Sequence, residues 1–185
     1  MRRVITSNLV SMDGYLAGPG GDLSWHTVND EFHRYAEDTL NSVGTLLFGR
    51  VTYQLMESYW PTEMAQKNDP EIAGKMNGLP KIVFSKTLES ADWENTTLLK
   101  EGVEKNIRRL KGQDGKDIVI LGSGTIVSAL TQADLIDEHR FIINPVILGG
   151  GVYQFTGAID RKKMELTDFK RFSTGVVVLH YQPIK

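Results

Sequence analysis

Thr45-Leu46-Leu47-Phe48-Gly49-Arg50-Val51-Thr52 is an apolar, β-type run that closes on glycine and arginine and passes at once into a segment of helical period. Two other runs end in the same manner. Ile82-Val83-Phe84 leads into Ser85-Lys86-Thr87, and Ile118-Val119-Ile120-Leu121 leads into Gly122-Ser123-Gly124-Thr125 before another helical segment. Strands of one sheet that share a direction end at a common edge. There glycine admits close backbone approach, helix-start N–H groups attract anions, and Arg50 and Lys86 add fixed positive charge. Such an edge suits a ligand carrying several phosphates, and a dinucleotide is the natural candidate.

Outward from these turns, strand-like runs fall at Val4–Val10, Thr96–Leu99, His139–Ile147 and Gly175–Tyr181, with the strand of the second turn beginning at Lys81 and that of the third at Asp117. Helical spacing of Phe32, Tyr35, Ala36, Leu40 and Val43 predicts a helix that Asn29 or Asp30 caps. Further helices are predicted at Val51–Tyr59, Pro70–Asn77, Gly102–Leu110 and Thr125–Ala133. The alternation reads as α/β. The stretch between the last two strands is Gly-rich and then charged, without a helical pattern for a crossover. The reading is therefore a mixed, mostly parallel sheet ending in an antiparallel C-terminal strand pair. Ala17–Asp22 reads as a mobile loop. Gly149-Gly150-Gly151 and the strand before them are expected at a sheet edge that pairs with a second copy, giving a homodimer.

The bulk composition narrows the classes. At 185 residues the chain fits one sizeable domain, residues 1–185. A net charge of −2 provides no global field for nucleic acid, and neither Arg108-Arg109-Leu110-Lys111 nor Arg161-Lys162-Lys163 is interleaved with stacking aromatics. The absence of cysteine excludes disulfides, thiolate metal sites and cysteine nucleophiles. The apolar stretch after Arg2-Arg3 is broken by Thr6, Ser7 and Asn8, so no membrane span or signal core is read there; a soluble, cytoplasmic protein is expected. His26, His33, His139 and His180 show no metal-ligand spacing, and no Gly-x-Ser-x-Gly elbow marks a hydrolase.

The turns differ in what they offer. At Gly49-Arg50-x-Thr52 a guanidinium fork engages phosphate bidentately while the Thr52 hydroxyl and helix N–H groups complete the cradle. Ser85 and Lys86 approach from the neighbouring strand end. Two cationic turns imply more phosphate than NAD carries, which favours NADP over NAD. Gly122-Ser123-Gly124 aims N–H groups and a helix dipole at a pyrophosphate. It is not a full dinucleotide fingerprint, because the third glycine position holds Val127, so a standard Rossmann domain is disfavoured. For each turn the plain alternative is structural, a tight strand-to-helix connection with surface basicity.

Taken together, Ser11-Met12-Asp13-Gly14-Tyr15-Leu16-Ala17, Leu47–Tyr53, Ile82–Leu88 and Ile120–Gly124 resemble the dihydrofolate reductase-like superfamily. More narrowly they resemble the C-terminal reductase domain of bifunctional riboflavin-biosynthesis proteins, a likeness strengthened by Asp137-Glu138-His139-Arg140, Asn144-Pro145-Val146-Ile147-Leu148-Gly149-Gly150-Gly151 and Phe155. The resemblance spans essentially the whole chain and implies the stand-alone reductase type, a three-layer α/β/α fold and NADPH lying across the strand ends. By position it implies that Gly49, Arg50, Val51 and Thr52 hold the adenosine-side phosphates, with Ser85 and Lys86 beside the 2′-phosphate. Gly122, Ser123, Gly124, Thr125 and Ile126 would hold the pyrophosphate, and Leu9, Val10, Leu16 and Ala17 would wall the nicotinamide under an Ala17–Asp22 cover.

Trp25 and Asp30 match the tryptophan and active-site acid of true dihydrofolate reductases in spacing, while His26, Asn29, Glu31 and Arg34 around them depart from that pattern. Asp30 reads either as a helix cap or as a proton-handling carboxylate. The function implied is an NADPH-dependent reductase that transfers hydride to a small heterocyclic or ribose-derived substrate. Its most specific form resembles 5-amino-6-(5-phosphoribosylamino)uracil reductase; the alternatives are a dihydrofolate or pteridine reductase, or a non-catalytic NADP-binding protein.

Overall fold

In the computed structural model, which describes residues 1–157 and 159–184, the apolar runs become strands of one eight-stranded sheet. The elements in chain order are β1 (Val4–Ser11), β2 (Tyr15–Ala17), α1 (Asp30–Ser42), β3 (Val43–Gly49), α2 (Arg50–Tyr59), α3 (Glu63–Asn68), α4 (Pro70–Gly78), β4 (Lys81–Phe84), β5 (Thr96–Leu99), α5 (Val103–Lys111), β6 (Asp117–Ile120), α6 (Gly124–Gln132), β7 (Glu138–Asn144), β8 (Val152–Tyr153), β9 (Met164–Arg171) and β10 (Val177–Pro183). Across the sheet the order is β5-β4-β3-β6-β1-β7-β10-β9, while β2 and β8 form a separate two-stranded ladder. Neighbours from β5 to β7 are parallel; β10 runs antiparallel to both β7 and β9.

Alternation along the buried strands assigns the helices to two layers. Leu47, Ile82, Phe84, Ile118 and Ile120 pack against Ile107 and Leu110 of α5 and Ile126, Val127 and Leu130 of α6. Their strand neighbours Leu46, Phe48, Val83 and Val119 pack on the other face against Leu40 of α1, Tyr53 of α2, and Ile72 and Met76 of α4. The fold is therefore three-layer α/β/α. It has one consequence for function: β3 and β6 are neighbours, yet the helices that follow them leave to opposite faces. A crevice opens between such strand ends, the place where open α/β sheets take their ligands.

Several expectations are revised. The charged stretch before the last strand contains a full strand, β9, as the hairpin partner of β10. The strand before Gly149-Gly150-Gly151 is not an edge: β7 lies between β1 and β10, and the edges of the sheet are β5 and β9. β7 stops at Asn144 because Pro145 has no N–H and the Val146 N–H turns back to the Asn144 carbonyl at 2.8 Å. Asn29, not Asp30, caps α1, its side chain accepting from the Phe32 N–H at 3.0 Å. Ala17–Asp22 forms a short 3-10 turn closed by the Gly18 N–H on the Asp22 carbonyl at 2.8 Å.

Two buried charges hold the frame away from the strand ends that carry the turns. Lys81, 1% exposed, donates to the carbonyls of Met76, Asn77 and Leu79 at 2.8–2.9 Å, satisfying the end of α4, and its ammonium lies 4.6 Å from the Trp93 ring centre. Burial pulls this ammonium down to about 8. Lys81→Met keeps the stem but leaves those carbonyls without their donor, so urea unfolding at pH 7 should report a loss of about 2 kcal/mol. Glu138, at the opposite end of β7 from the glycine turns, accepts from Arg3 at 2.6 Å and Arg140 at 2.5 Å and lies 3.3 Å from His180.

Candidate active site

The three turns converge at one edge, in the order β4-β3-β6, because their strands are parallel neighbours. The turns of β3 and β6 touch. A Cβ on Gly49 would lie 2.5 Å from the Ser123 Cβ, and one on Gly122 would lie 3.0 Å from Thr52 Oγ1. Gly122 and Ser123 both take positive φ, +83° and +97°, an uncommon and costly conformation for serine. Gly49→Ala should therefore cost about 2 kcal/mol of stability through overpacking. Ser123→Gly removes both the opposing side chain and the strain, so the double variant should recover most of that loss in a urea titration.

The starts of α2 and α6 are alike in one respect that separates them from α1 and α3. Neither carries a side-chain cap, and neither has an acidic residue in its first turn. α1 and α3, by contrast, are capped by Asn29 and Thr62 and carry carboxylates in their first turns. Two sets of free N–H groups with their dipoles, side by side and without competing negative charge, make a cradle for an anion. Arg50 stands exposed at the first position of α2, its guanidinium 3.0 Å from Gln54 Oε1. Val51 is exposed beside it, and Ile126 is buried in the core. Ser123 Oγ and Thr125 Oγ1 lie 2.9 Å apart at the lip.

On the β4 side, Ser85 is buried and its hydroxyl accepts from the N–H groups of Thr87 and Leu88 at 3.2 and 2.9 Å. It shapes the turn that leaves Lys86 exposed. The division of labour between these two residues was not visible in the sequence.

Asn8 was missed as well. It is 3% exposed in the middle of β1, where its Oδ1 accepts from the Gly122 N–H at 2.6 Å and its Nδ2 donates to Gln154 Oε1 at 3.1 Å. Gln154 follows β8, and a Cβ on Gly124 would come within 2.6 Å of the Tyr153 carbonyl and 3.0 Å of the Gln154 carbonyl. The Asn8 amide thus ties the β6 turn to the β8 segment. The available signal was the polar run Thr6-Ser7-Asn8 inside a strand, since polar side chains buried in a sheet centre must be spent on hydrogen bonds.

At the end of β1 the geometry separates two expected neighbours. Leu9 packs beneath α1 with the Tyr35, Ile142 and Phe172 cluster, whereas Val10, the next residue of the strand, faces the other side. Their side chains cannot wall the same face of one ring. Leu16 and Ala17 lie half-buried in β2, which is fastened to β8: Tyr15 and Tyr153 stack at 4.1 Å with their hydroxyls 2.7 Å apart, a hydrogen bond that pushes Tyr15 up to about 12. Asp13 secures the preceding turn by accepting from Leu148 and Gly149 N–H at 3.1 and 2.8 Å.

The segment between β2 and α1 carries the remaining candidates. Trp25 is half-buried, donating Nε1 to the Asp22 carbonyl at 2.9 Å, with its ring 4.3 Å from that of His26. Burial pulls the His26 imidazole below its ordinary value, and its Nε2 is buried without a partner. The Thr27 N–H reaches Asn144 Oδ1 at 2.8 Å, so this segment borders the ends of β1 and β7. Asp30 is exposed at the first position of α1, outside any desolvated pocket.

The profile of the RibD C-terminal domain matches residues 2–178. The chain belongs to the RibD C-terminal domain family. A relative, the uncharacterized protein YyaP of Bacillus subtilis (strain 168), is 28% identical over 180 residues, 97% of this chain and 94% of that protein. Among solved structures, the diaminohydroxyphosphoribosylaminopyrimidine deaminase/5-amino-6-(5-phosphoribosylamino)uracil reductase of Thermotoga maritima superposes with a TM-score of 0.69 at 18% identity, over 99% of this chain and 57% of that one. Dihydrofolate reductase from Enterococcus faecalis, complexed with NADP(H), superposes with a TM-score of 0.66 at 15% identity, over 99% and 97% of the two chains. The RibD C-terminal fold is thus dihydrofolate reductase-like, as the turn motifs implied.

Proposed function

We propose that this member of the RibD C-terminal domain family is an NADPH-dependent reductase of a small heterocyclic or ribose-derived substrate, with reduction of 5-amino-6-(5-phosphoribosylamino)uracil as its most specific form. The observation that carries the proposal is the pair of uncapped, carboxylate-free helix starts meeting at the β3/β6 crevice, flanked by the exposed cations Arg50 and Lys86. A dinucleotide phosphate suits that cradle because two neighbouring helix starts there offer N–H groups with no side-chain cap and no first-turn carboxylate. Gly49, Arg50, Val51 and Thr52 hold the adenosine-side phosphates; Ser85 sets the turn from which Lys86 reaches the 2′-phosphate. Gly122 to Ile126 take the pyrophosphate. Bound there, NADPH supplies the hydride.

The chain's own contribution is position and exclusion of water. The β2–β8 clasp carries Leu16 and Ala17 over the β1 end, and Trp25 and His26 close the side towards α1. Asp30 or a water molecule donates the proton.

The test is in two stages. NADPH fluorescence is titrated with the protein first, and oxidation of the bound nucleotide is then followed with 5-amino-6-(5-phosphoribosylamino)uracil and, in parallel, with dihydrofolate. Complex formation followed by oxidation with the first substrate supports the specific reading, and oxidation only with the second moves the assignment to pteridine reduction. Binding without oxidation by either leaves a nucleotide-binding protein. No complex at millimolar NADPH removes the redox role altogether.

A further inference from the structure

We propose that a cleft at the starts of β3, β4 and β5, on the face of the sheet that α5 covers, is a second anion site that takes a phosphoryl group against the guanidinium of Arg2. The cleft, of about 400 Å³, is walled by Arg2, Thr45, Ile82, Thr97, Asp114 and Lys116. It lies at the far end of the parallel strands from the three turns: Thr45 stands near the start of β3, and Gly49 closes that strand about 13 Å further on. Register places the walls on one face. Thr45 pairs with Ile118 and Thr97 with Ile82, and Ile82 and Ile118 pack with Leu110 of α5.

Arg2 is 8% exposed, and its guanidinium donates from Nε to the Lys116 carbonyl at 2.6 Å and from Nη2 to Thr45 Oγ1 at 2.5 Å. Both partners are neutral. Among the described residues no carboxylate is in ion-pairing contact with it. Asp117, the acid that bears on its charge, turns Oδ1 to the Arg3 N–H at 2.8 Å instead. The neighbouring charges differ: Arg3 is paired with Glu138, and Lys111 with Asp137. A cation withdrawn from water without a counter-charge is costly, and a bound anion removes that cost.

Gly115 keeps the guanidinium open. Its φ is +141°, and a Cβ there would lie 3.6 Å from Arg2 Nε and 3.9 Å from Cζ, so a side chain at this position would cover the group. The field around the cleft is positive. Lys81 and Lys116 also border it, their ammonium groups held by backbone carbonyls, while Asp114 at the rim supplies one carboxylate. Three cations against one carboxylate leave an excess of two charges, which a phosphoryl dianion matches better than a carboxylate does. Arg2 gives the remaining N–H groups of its fork, Thr97 on β5 gives a hydroxyl, and Ile82 provides an apolar floor for the organic part of a phosphate monoester.

Amide NMR of the full chain, titrated with inorganic phosphate and separately with ribose 5-phosphate at constant ionic strength and about pH 8, where such groups are dianions, should show saturable shifts at Thr45, Thr97 and Gly115. Tighter binding of the ester assigns the cleft to a phosphorylated metabolite; equal binding assigns it to free phosphate. Arg2→Gln should abolish these shifts. Because that change also removes the bonds to Thr45 and Lys116, two exposed positions carry the test without disturbing them. Thr97→Asp should weaken phosphate about tenfold and Asp114→Asn strengthen it about threefold, each with the parent's far-ultraviolet spectrum. Shifts that never saturate, shifts confined to Gly122–Thr125, or an unchanged affinity in Thr97→Asp would overturn the proposal. Arg50→Ala, at the other end of the sheet, should leave the response of this cleft as it is, so the result stands apart from nucleotide binding and turnover.

Discussion

Glu138→Ala is expected to destabilise the fold by about 3–5 kcal/mol, because removing one partner of a buried ionic group leaves the others uncompensated. The carboxylate is 4% exposed, with Arg3, Arg140 and His180 around it and Tyr35 3.5 Å from His180. Burial alone would raise the Glu138 carboxyl; hydrogen bonds from His180 and Arg140, the Arg140 charge and the bond from Arg3 outweigh it and hold the group well below the usual carboxylate range. A folded value depressed below the unfolded one, about 4.3, contributes stability in full above that pH and loses it as pH falls through the folded value.

His139 adds an earlier acid window. It is buried beside Thr6, and burial lowers it to about 4, so it stays neutral in the fold while the unfolded chain takes up a proton near its ordinary value of about 6.5. Stability therefore declines first between about pH 6.5 and 4 through His139, then further through Glu138. Urea titrations from neutral to acid pH check both. Glu138→Ala should keep the first decline and lose the second; a variant as stable as the parent at pH 7 would mean that the ionic group contributes nothing net.

What the sequence disclosed follows from the size of each signal. The three buried strands that end in the turns, β3, β4 and β6, and the α6 helix after the last of them announce themselves through unbroken apolar runs and the punctuation that follows, and the character of the turns was readable because three repeat one chemistry. β9 was not, because its bulge breaks the two-residue period and Glu165, Asp168 and Lys170 dilute the apolar face. β2 and β8, at three and two residues, lie below any window of periodicity. Contacts such as Asn8 with Gly122 join positions 114 apart, and only the fold brings them together. The sequence named the cations but not their freedom: Lys86 stands clear because Ser85 turns inward, and that depends on backbone geometry.

Arg50→Ala is expected to weaken NADPH by about 1.5–3 kcal/mol, roughly ten- to 150-fold in Kd, while changing NADH little. Arg50 occupies the first turn of α2, where the helix start supplies N–H groups but no side-chain cap, and its only polar contact among the described residues is the neutral Gln54. No carboxylate has to be displaced before it engages a phosphate. An exposed salt bridge would contribute less. In the proposed complex the partner would be dianionic, the fork could engage it bidentately and the helix dipole would act in the same direction, which would place the effect in the charge-assisted range. Arg50→Lys should fall between the two, keeping the charge and losing the fork. Lys86→Ala should show the same selectivity for NADPH at smaller amplitude, since a single ammonium on a flexible stem offers a point charge. Titrating both nucleotides at low and high salt separates the contributions: the NADPH preference should shrink with salt in the parent, be smaller in Arg50→Ala, where Lys86 remains, and be nearly absent when both cations are removed. Equal weakening of NADPH and NADH would mean that Arg50 meets a phosphate common to both, and the 2′-phosphate clamp would then have to be sought at Lys86 alone.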